Sequence, residues 1–200
     1  MSLDLYLRSR KPVRHRGTGV YVREDGETRE LRTMDEVKEH FPDADLSDVH
    51  VYDYEDDEVL HINMTHNLTE MASHVPIEGT DGVCALPRFK DDPTDEPLTA
   101  YNLLWHPETN PLLKNEILHR KDDNDEEWDV QVTRIDAELL RQVMVVYCYI
   151  ATHGDELRQY NPSNGWGTYE QLRDATHKLL KALTDIPAEE YDEYYIYCWT

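Results

Sequence analysis

The chain has 200 residues, with 20 Lys and Arg set against 42 Asp and Glu, for a formal net charge of −22. A field of that sign repels phosphate, which argues against general nucleic-acid binding and against docking on an anionic membrane. Hydrophobic residues at 39% and aromatics at 10% offer enough apolar surface to offset chain ordering, and the length suits a single domain.

In chain order, Ser2 to Leu7 alternates Leu3, Leu5 and Leu7 on one face and predicts a strand, not a leader segment. Arg8, Arg10, Lys11, Arg14 and Arg16 follow within nine residues without an acid among them and read as a basic loop. Residues 1–32 therefore carry +3, while the other 168 carry −25. The basic run suits either a local phosphate or acidic-partner contact, or pairing with the protein's own acidic surface, and the second is the simpler expectation. Gly19–Arg23 and Thr28–Arg32 flank Asp25-Gly26, a hairpin signal. Thr33 with Glu36 forms a capping box for a short helix closed by Pro42. Val49–Tyr54 and Val59–Asn63 read as a second hairpin around the acidic residues 53–58.

Asn67 with Glu70 predicts a helix cap, with the helix running to about Val75. Residues 76–96 read as loop, and Pro97 suits the first turn of a helix ending near Trp105. Leu112–Leu118 is a short helix or an extended piece, and Trp128, Val130 and Val132 alternate as a strand. From Asp136, Leu139, Val143, Val146, Tyr147 and Ile150 recur at helical spacing, with Cys148 read as core. A second long helix follows Thr168, which with Gln171 forms a capping box, and buries Tyr169, Leu172, Leu179 and Leu183. The tyrosine-rich end, with Tyr191, Tyr194, Tyr195 and Tyr197, predicts a closing strand, read first as the final strand of an ordinary sheet with its hydroxyls reaching water and alternatively as an edge that pairs with a partner or a second copy. The order of elements predicts an α+β fold: a mostly antiparallel sheet packed against two long helices from the second half of the chain.

The longest apolar run, Val143–Ile150, is eight residues against the ~20 needed to cross a bilayer, so no membrane association is expected. Cys84, Cys148 and Cys198 are odd in number and widely spaced, as in a reducing compartment, so the expected location is the cytoplasm. Ten histidines show no metal-ligand spacing, and there is no P-loop, nucleophile elbow or dinucleotide fingerprint. No metal or cofactor is therefore expected, and a non-enzymatic role is the first expectation, with catalysis belonging to the alternative below.

Two polar loops are the site candidates. In Asn63-Met64-Thr65-His66-Asn67-Leu68, His66 is a candidate base or ligand, and Asn67 a contact for an amide or phosphate. The plainer reading makes Asn67 a helix cap and His66 a half-buried, hydrogen-bonded ring. In Asn161-Pro162-Ser163-Asn164-Gly165-Trp166-Gly167-Thr168-Tyr169, Gly165 and Gly167 permit a nest of N–H donors for an anion, beside Trp166 and Tyr169 as stacking rings. The plainer reading is a tight connection with Trp166 plugged beneath it. If these loops meet the Leu104-Trp105-His106-Pro107 segment in space, then His66, Asn67, Trp105, Asn164, Gly165, Trp166 and Tyr169 line one ligand pocket.

With these three segments, Asn63–Leu68, Leu104–Pro107 and Asn161–Glu170, the chain resembles a family of small uncharacterised proteins of tailed phages and other prokaryotic viruses. The last segment is the most specific, and residues 8–58 and 76–96 are longer than the family pattern, as insertions in a single domain 1–200 would be. The resemblance implies a viral or prophage origin, hence a host-cell cytoplasm, and carries no reaction with it. The expected function is that of an accessory protein that binds a host or viral protein through an acidic, Tyr-rich surface. A small-molecule or nucleotide-binding domain built on the His66/Asn67 and Asn164–Tyr169 loops, with an enzyme as one version of it, is the alternative, and a virion component a third. Adaptation to a salty cytoplasm is a competing account of the acidity.

Overall fold

A computed structural model describes residues 2–24, 27–86, 95–121 and 127–199. The Asp25-Gly26 turn, the acids at 91–94 and those at 122–126 lie outside the described residues. In chain order the elements are β1 (Ser2–Gly17), β2 (Tyr21–Glu24), β3 (Glu27–Glu30), α1 (Met34–His40), β4 (Tyr52–Thr65), α2 (Leu68–Ser73), α3 (Tyr101–Leu104), β5 (Asn115–Lys121), β6 (Glu127–Arg134), α4 (Ala137–Thr152), α5 (Gly154–Leu157), α6 (Tyr169–Asp185) and β7 (Tyr194–Trp199), with three short 3-10 turns. The fold is α+β.

The chain divides into two compact units. Residues 1–10 with 59–200 form the larger, and residues 11–58 the smaller. The boundary falls inside both β1 and β4.

In the larger unit the five-stranded sheet has the order β4-β1-β7-β6-β5. β7 lies antiparallel to β1 from Asp4↔Trp199 to Ser9↔Tyr194, and antiparallel to β6 through Thr133↔Ile196 and Arg134↔Tyr195. One face of the sheet presents Leu5, Leu7, Ile62, Met64 and Ile196 to a core completed by Leu139, Val143, Val146 and Ile150 of α4 and Leu172, Leu179 and Leu183 of α6. Both long helices form where the apolar spacing predicts, because each has its stripe and its cap. Asp136 accepts from the N–H groups of Glu138 and Leu139, and Thr168 and Gln171 make both capping-box bonds. In the smaller unit, β2 pairs with β3 from Tyr21↔Glu30 to Glu24↔Glu27, and Thr33 and Glu36 cap α1 as a complete box.

Several expectations are corrected. The basic run is not a loop, since β1 continues through Gly17, and the acidic run 53–58 is not a turn but part of β4. Arg14 lies 3.7 Å from Glu55 and Arg16 3.6 Å from Asp53, so opposite charge on neighbouring strands replaces the apolar alternation that strand patterning looks for. Pro97 starts no helix: it bridges to Cys84, and only Tyr101–Leu104 is helical. Cys148 is exposed, because the buried stripe of α4 runs through residues 139, 142, 143, 146 and 150. β7 is an inner strand with neighbours on both sides, so the alternative reading, a sheet edge for self-association, is removed, and Tyr195 is buried.

Candidate functional site

The two motif loops meet. Asn67 sits at the N-cap of α2 but with helical angles (φ −64°, ψ −16°), and its side chain caps nothing. Its Nδ2 instead donates to the carbonyl of Trp166, 3.0 Å away and 99 residues along the chain. Thr65 accepts from the Asn67 N–H at 3.3 Å, shaping the turn that delivers this amide.

The Asn161–Tyr169 loop closes on itself. Asn164 Oδ1 accepts from Trp166 N–H (3.0 Å), Gln171 Oε1 from Gly167 N–H (2.7 Å) and Thr168 N–H (3.0 Å), and Asn161 Oδ1 from Tyr169 N–H (2.8 Å). The expected anion nest is thus filled by the loop's own amides, and its donors are engaged. Gly165 (φ +72°) and Gly167 (φ +88°) supply the left-handed turns. A Cβ on Gly167 would stand 2.9 Å from both Asn67 Cβ and Thr65 Cγ2, so that glycine is also what lets the two loops approach.

The expected site residues separate. Asn67, Asn164, Gly165 and Trp166 belong to the joined loops, and His66 is exposed beside them. His66 and Asn67 line a cleft of about 420 Å³ with Glu70, Gln159, Tyr160 and Asn161. Trp166 is not a plug beneath the turn: it is 56% exposed. Tyr169 is buried, donates from its hydroxyl to Ile150 O at 3.1 Å, and lies beneath the Arg158 guanidinium at 4.5 Å, so it offers no stacking face. Trp105 is not part of this cleft.

Trp105 instead lines a second cleft of about 450 Å³ that also takes in His106, Glu108, Trp128, Tyr197 and Trp199. The cleft lies where β6 and β7, paired only at Thr133↔Ile196 and Arg134↔Tyr195, run on toward Trp128 and Trp199. Its floor, the segment around Trp105, is held by buried polar side chains. Asn102 donates to Thr109 Oγ1 at 2.9 Å, Thr109 donates to His106 O at 2.6 Å, and Asn110 donates to Gln142 Oε1 at 2.7 Å. Gln142 in turn donates to Glu138, which also accepts from Arg141. Each of these buried groups is therefore tied to a partner, which makes the floor rigid.

The indole N–H of Trp105 is the exception. It is buried and has no acceptor among the described residues, a condition that costs about 1–3 kcal/mol. Nearby, His106 Nδ1 lies 2.8 Å from Glu108 Oε1, and since a carboxylate only accepts, His106 donates through Nδ1. Burial, with a smaller push from the Glu108 carboxylate, raises the Cys198 thiol above its usual range and favours its protonated form. Among the described residues no group of three or more His, Cys, Asp or Glu is arranged to hold a metal ion, and no helix is long and apolar enough to cross a membrane.

Sequence patterning missed His106, Glu108 and the amides beneath them. One signal was present: Gln142 falls on the apolar stripe of α4, where a polar side chain needs a buried partner. In comparison with known proteins, the chain matches no protein family, no curated protein and no solved structure.

Proposed function

We propose that the chain is a phage-type accessory protein that works by binding a protein partner, and that the partner docks on the joined motif loops with Trp166 as its anchor. The observation that carries this reading is an indole 56% exposed on a fixed mount. The Trp166 N–H is bonded to Asn164 and its carbonyl to Asn67, so little backbone freedom is lost when the ring is covered. Rigid, exposed tryptophans of this kind are the usual energetic centres of interfaces.

The surroundings favour a partner with basic residues. Glu70 lines the adjoining cleft, and Arg158 is shared between Asp155 and Glu170, two carboxylates against one cation. This reading uses the acidic part of the expected interface and assigns the tyrosine-rich strand, which has no free edge, no part in it.

Affinity capture from host and phage-infected lysates tests the reading. Trp166→Ala is expected to lose the captured protein while melting at the same temperature as the wild type, since the ring is exposed. Reversal of Glu189, Glu190 and Glu193 on the C-terminal 3-10 turn is expected to leave capture intact. Undiminished capture by Trp166→Ala would reject the docking surface, and loss with the Glu189–Glu193 reversal would move it to the acidic C-terminal segment.

A further inference from the structure

We propose that the cleft beside the joined loops receives an arginine side chain of the protein that docks on Trp166, an inference that rests on that docking surface. The two are continuous, because Asn67 lines the cleft and donates to Trp166 O at 3.0 Å. A chain lying over the indole has the cleft within reach of a long side chain.

The cleft has two walls. One is the entry to α2, with His66 and Glu70, and the other is the 3-10 turn after α5, with Gln159 and Tyr160. Tyr160 is fixed by stacking on His74, with ring centroids 4.1 Å apart. No Lys or Arg is among the lining residues and Glu70 is, so an anion is disfavoured and a cation is favoured. The Glu70 carboxylate and the Gln159 side chain have no hydrogen-bond or ion-pair partner among the described residues. The chain's own nearby cation does not fill the place. Arg158, next to Gln159 in sequence, is engaged by Asp155 and Glu170 and not by Glu70.

Acceptors on two walls select a guanidinium. It carries five N–H donors in one plane, so it can meet the Glu70 carboxylate on one side and the Gln159 side-chain oxygen on the other. An ammonium is a compact point charge, and a neutral side chain brings the carboxylate no counter-charge. The volume, about 420 Å³, is ample for one long side chain. Because Glu70 is exposed, solvent screens the pair, and the contact adds specificity more than affinity.

NMR titration of the full ¹⁵N-labelled chain with acetyl-arginine amide, acetyl-lysine amide and acetyl-citrulline amide tests this. The arginine compound is expected to give saturable shifts at the amides of Glu70, Gln159 and Tyr160 in the millimolar range. The lysine compound, of equal charge, is expected to bind about threefold more weakly. The citrulline compound, similar in shape but uncharged, is expected to give no saturable shift there. Glu70→Gln, at an exposed position with no partner to lose, is expected to fold as the wild type does and to weaken both arginine binding and capture of the protein partner about fivefold. Trp166→Ala is expected to bind acetyl-arginine amide as the wild type does while losing the captured protein, so failure of the docking surface is read in capture and failure of the cleft in the titration. The proposal is overturned if the arginine compound gives no saturable shift at these residues, if the lysine or citrulline compound binds as tightly, or if Glu70→Gln binds it unchanged.

Discussion

Asn67 occupies a position where its type is the favoured helix cap, yet its amide crosses to Trp166 O and caps nothing. The two roles call for different atoms. A cap accepts through a side-chain oxygen, whereas the tether donates through Nδ2. Asn67→Ala is therefore expected to destabilise the fold by about 1 kcal/mol. Asn67→Asp, a good cap that cannot donate, is expected to be no better than Ala and to lower stability further by facing a carboxylate to a carbonyl. Urea denaturation of the two variants decides it, and a stable Asn67→Asp would mean that capping is the residue's work. The two glycines of the partner loop make a matched pair. Gly165→Ala is strained only by its positive φ, with open space around the new methyl, and should cost about 1 kcal/mol. Gly167→Ala adds the approach to Asn67 and Thr65 and should cost about 3 kcal/mol, with the loops prised apart. Equal melting temperatures for the two would show that the loops do not press on each other.

The start of α4 links a cap, a buried network and the Trp105 cleft. Burial alone would raise the Asp136 carboxyl, but the Leu139 N–H, Lys114 and the Glu138 N–H together hold it below its ordinary range. Hydrogen bonds from Arg141 hold Glu138 down against its partial burial. Both groups are depressed in the folded state, so the stability they contribute is complete above the ordinary carboxylate range and is lost as the pH falls through their folded values. The double variant Asp136→Asn, Glu138→Gln is expected to be less stable than the wild type by about 1 kcal/mol at neutral pH and to converge with it in strong acid. A constant difference across a pH series of melting curves would show that the two carboxylates do not titrate with folding. Among elements, α4 and α6 were legible because stripe and cap agree over more than four turns each, so local preference and burial select the same conformation. The long strands β1 and β4 were legible only in their apolar parts, Ser2–Leu7 in β1 and the stretches ending at Tyr54 and starting at Val59 in β4. Their charged stretches look like loops until each is set beside the other, and only then do Arg14, Arg16, Asp53 and Glu55 have reason to be extended.

At the scale of the whole molecule, the charge of −22 sets self-repulsion against a scatter of mostly exposed ion pairs, each worth about 0–1 kcal/mol. Repulsion summed over the surface outweighs such pairs, and both are screened by salt. Raising sodium chloride from low ionic strength toward molar is therefore expected to raise the melting temperature, and a fall would mean that the β1–β4 pairs dominate. The sequence by itself determined the α+β class, both long helices, their caps, and the left-handed glycines of the Asn161–Tyr169 loop, because each depends on residues within a few positions of one another. Tertiary structure alone decided that the tyrosine-rich strand is internal, that Asn67 is a tether, and that Trp105 belongs to a different cleft from His66. Each of those outcomes depends on which distant segment supplies the neighbouring strand, donor or acceptor, and nothing within hydrogen-bonding reach along the chain announces it.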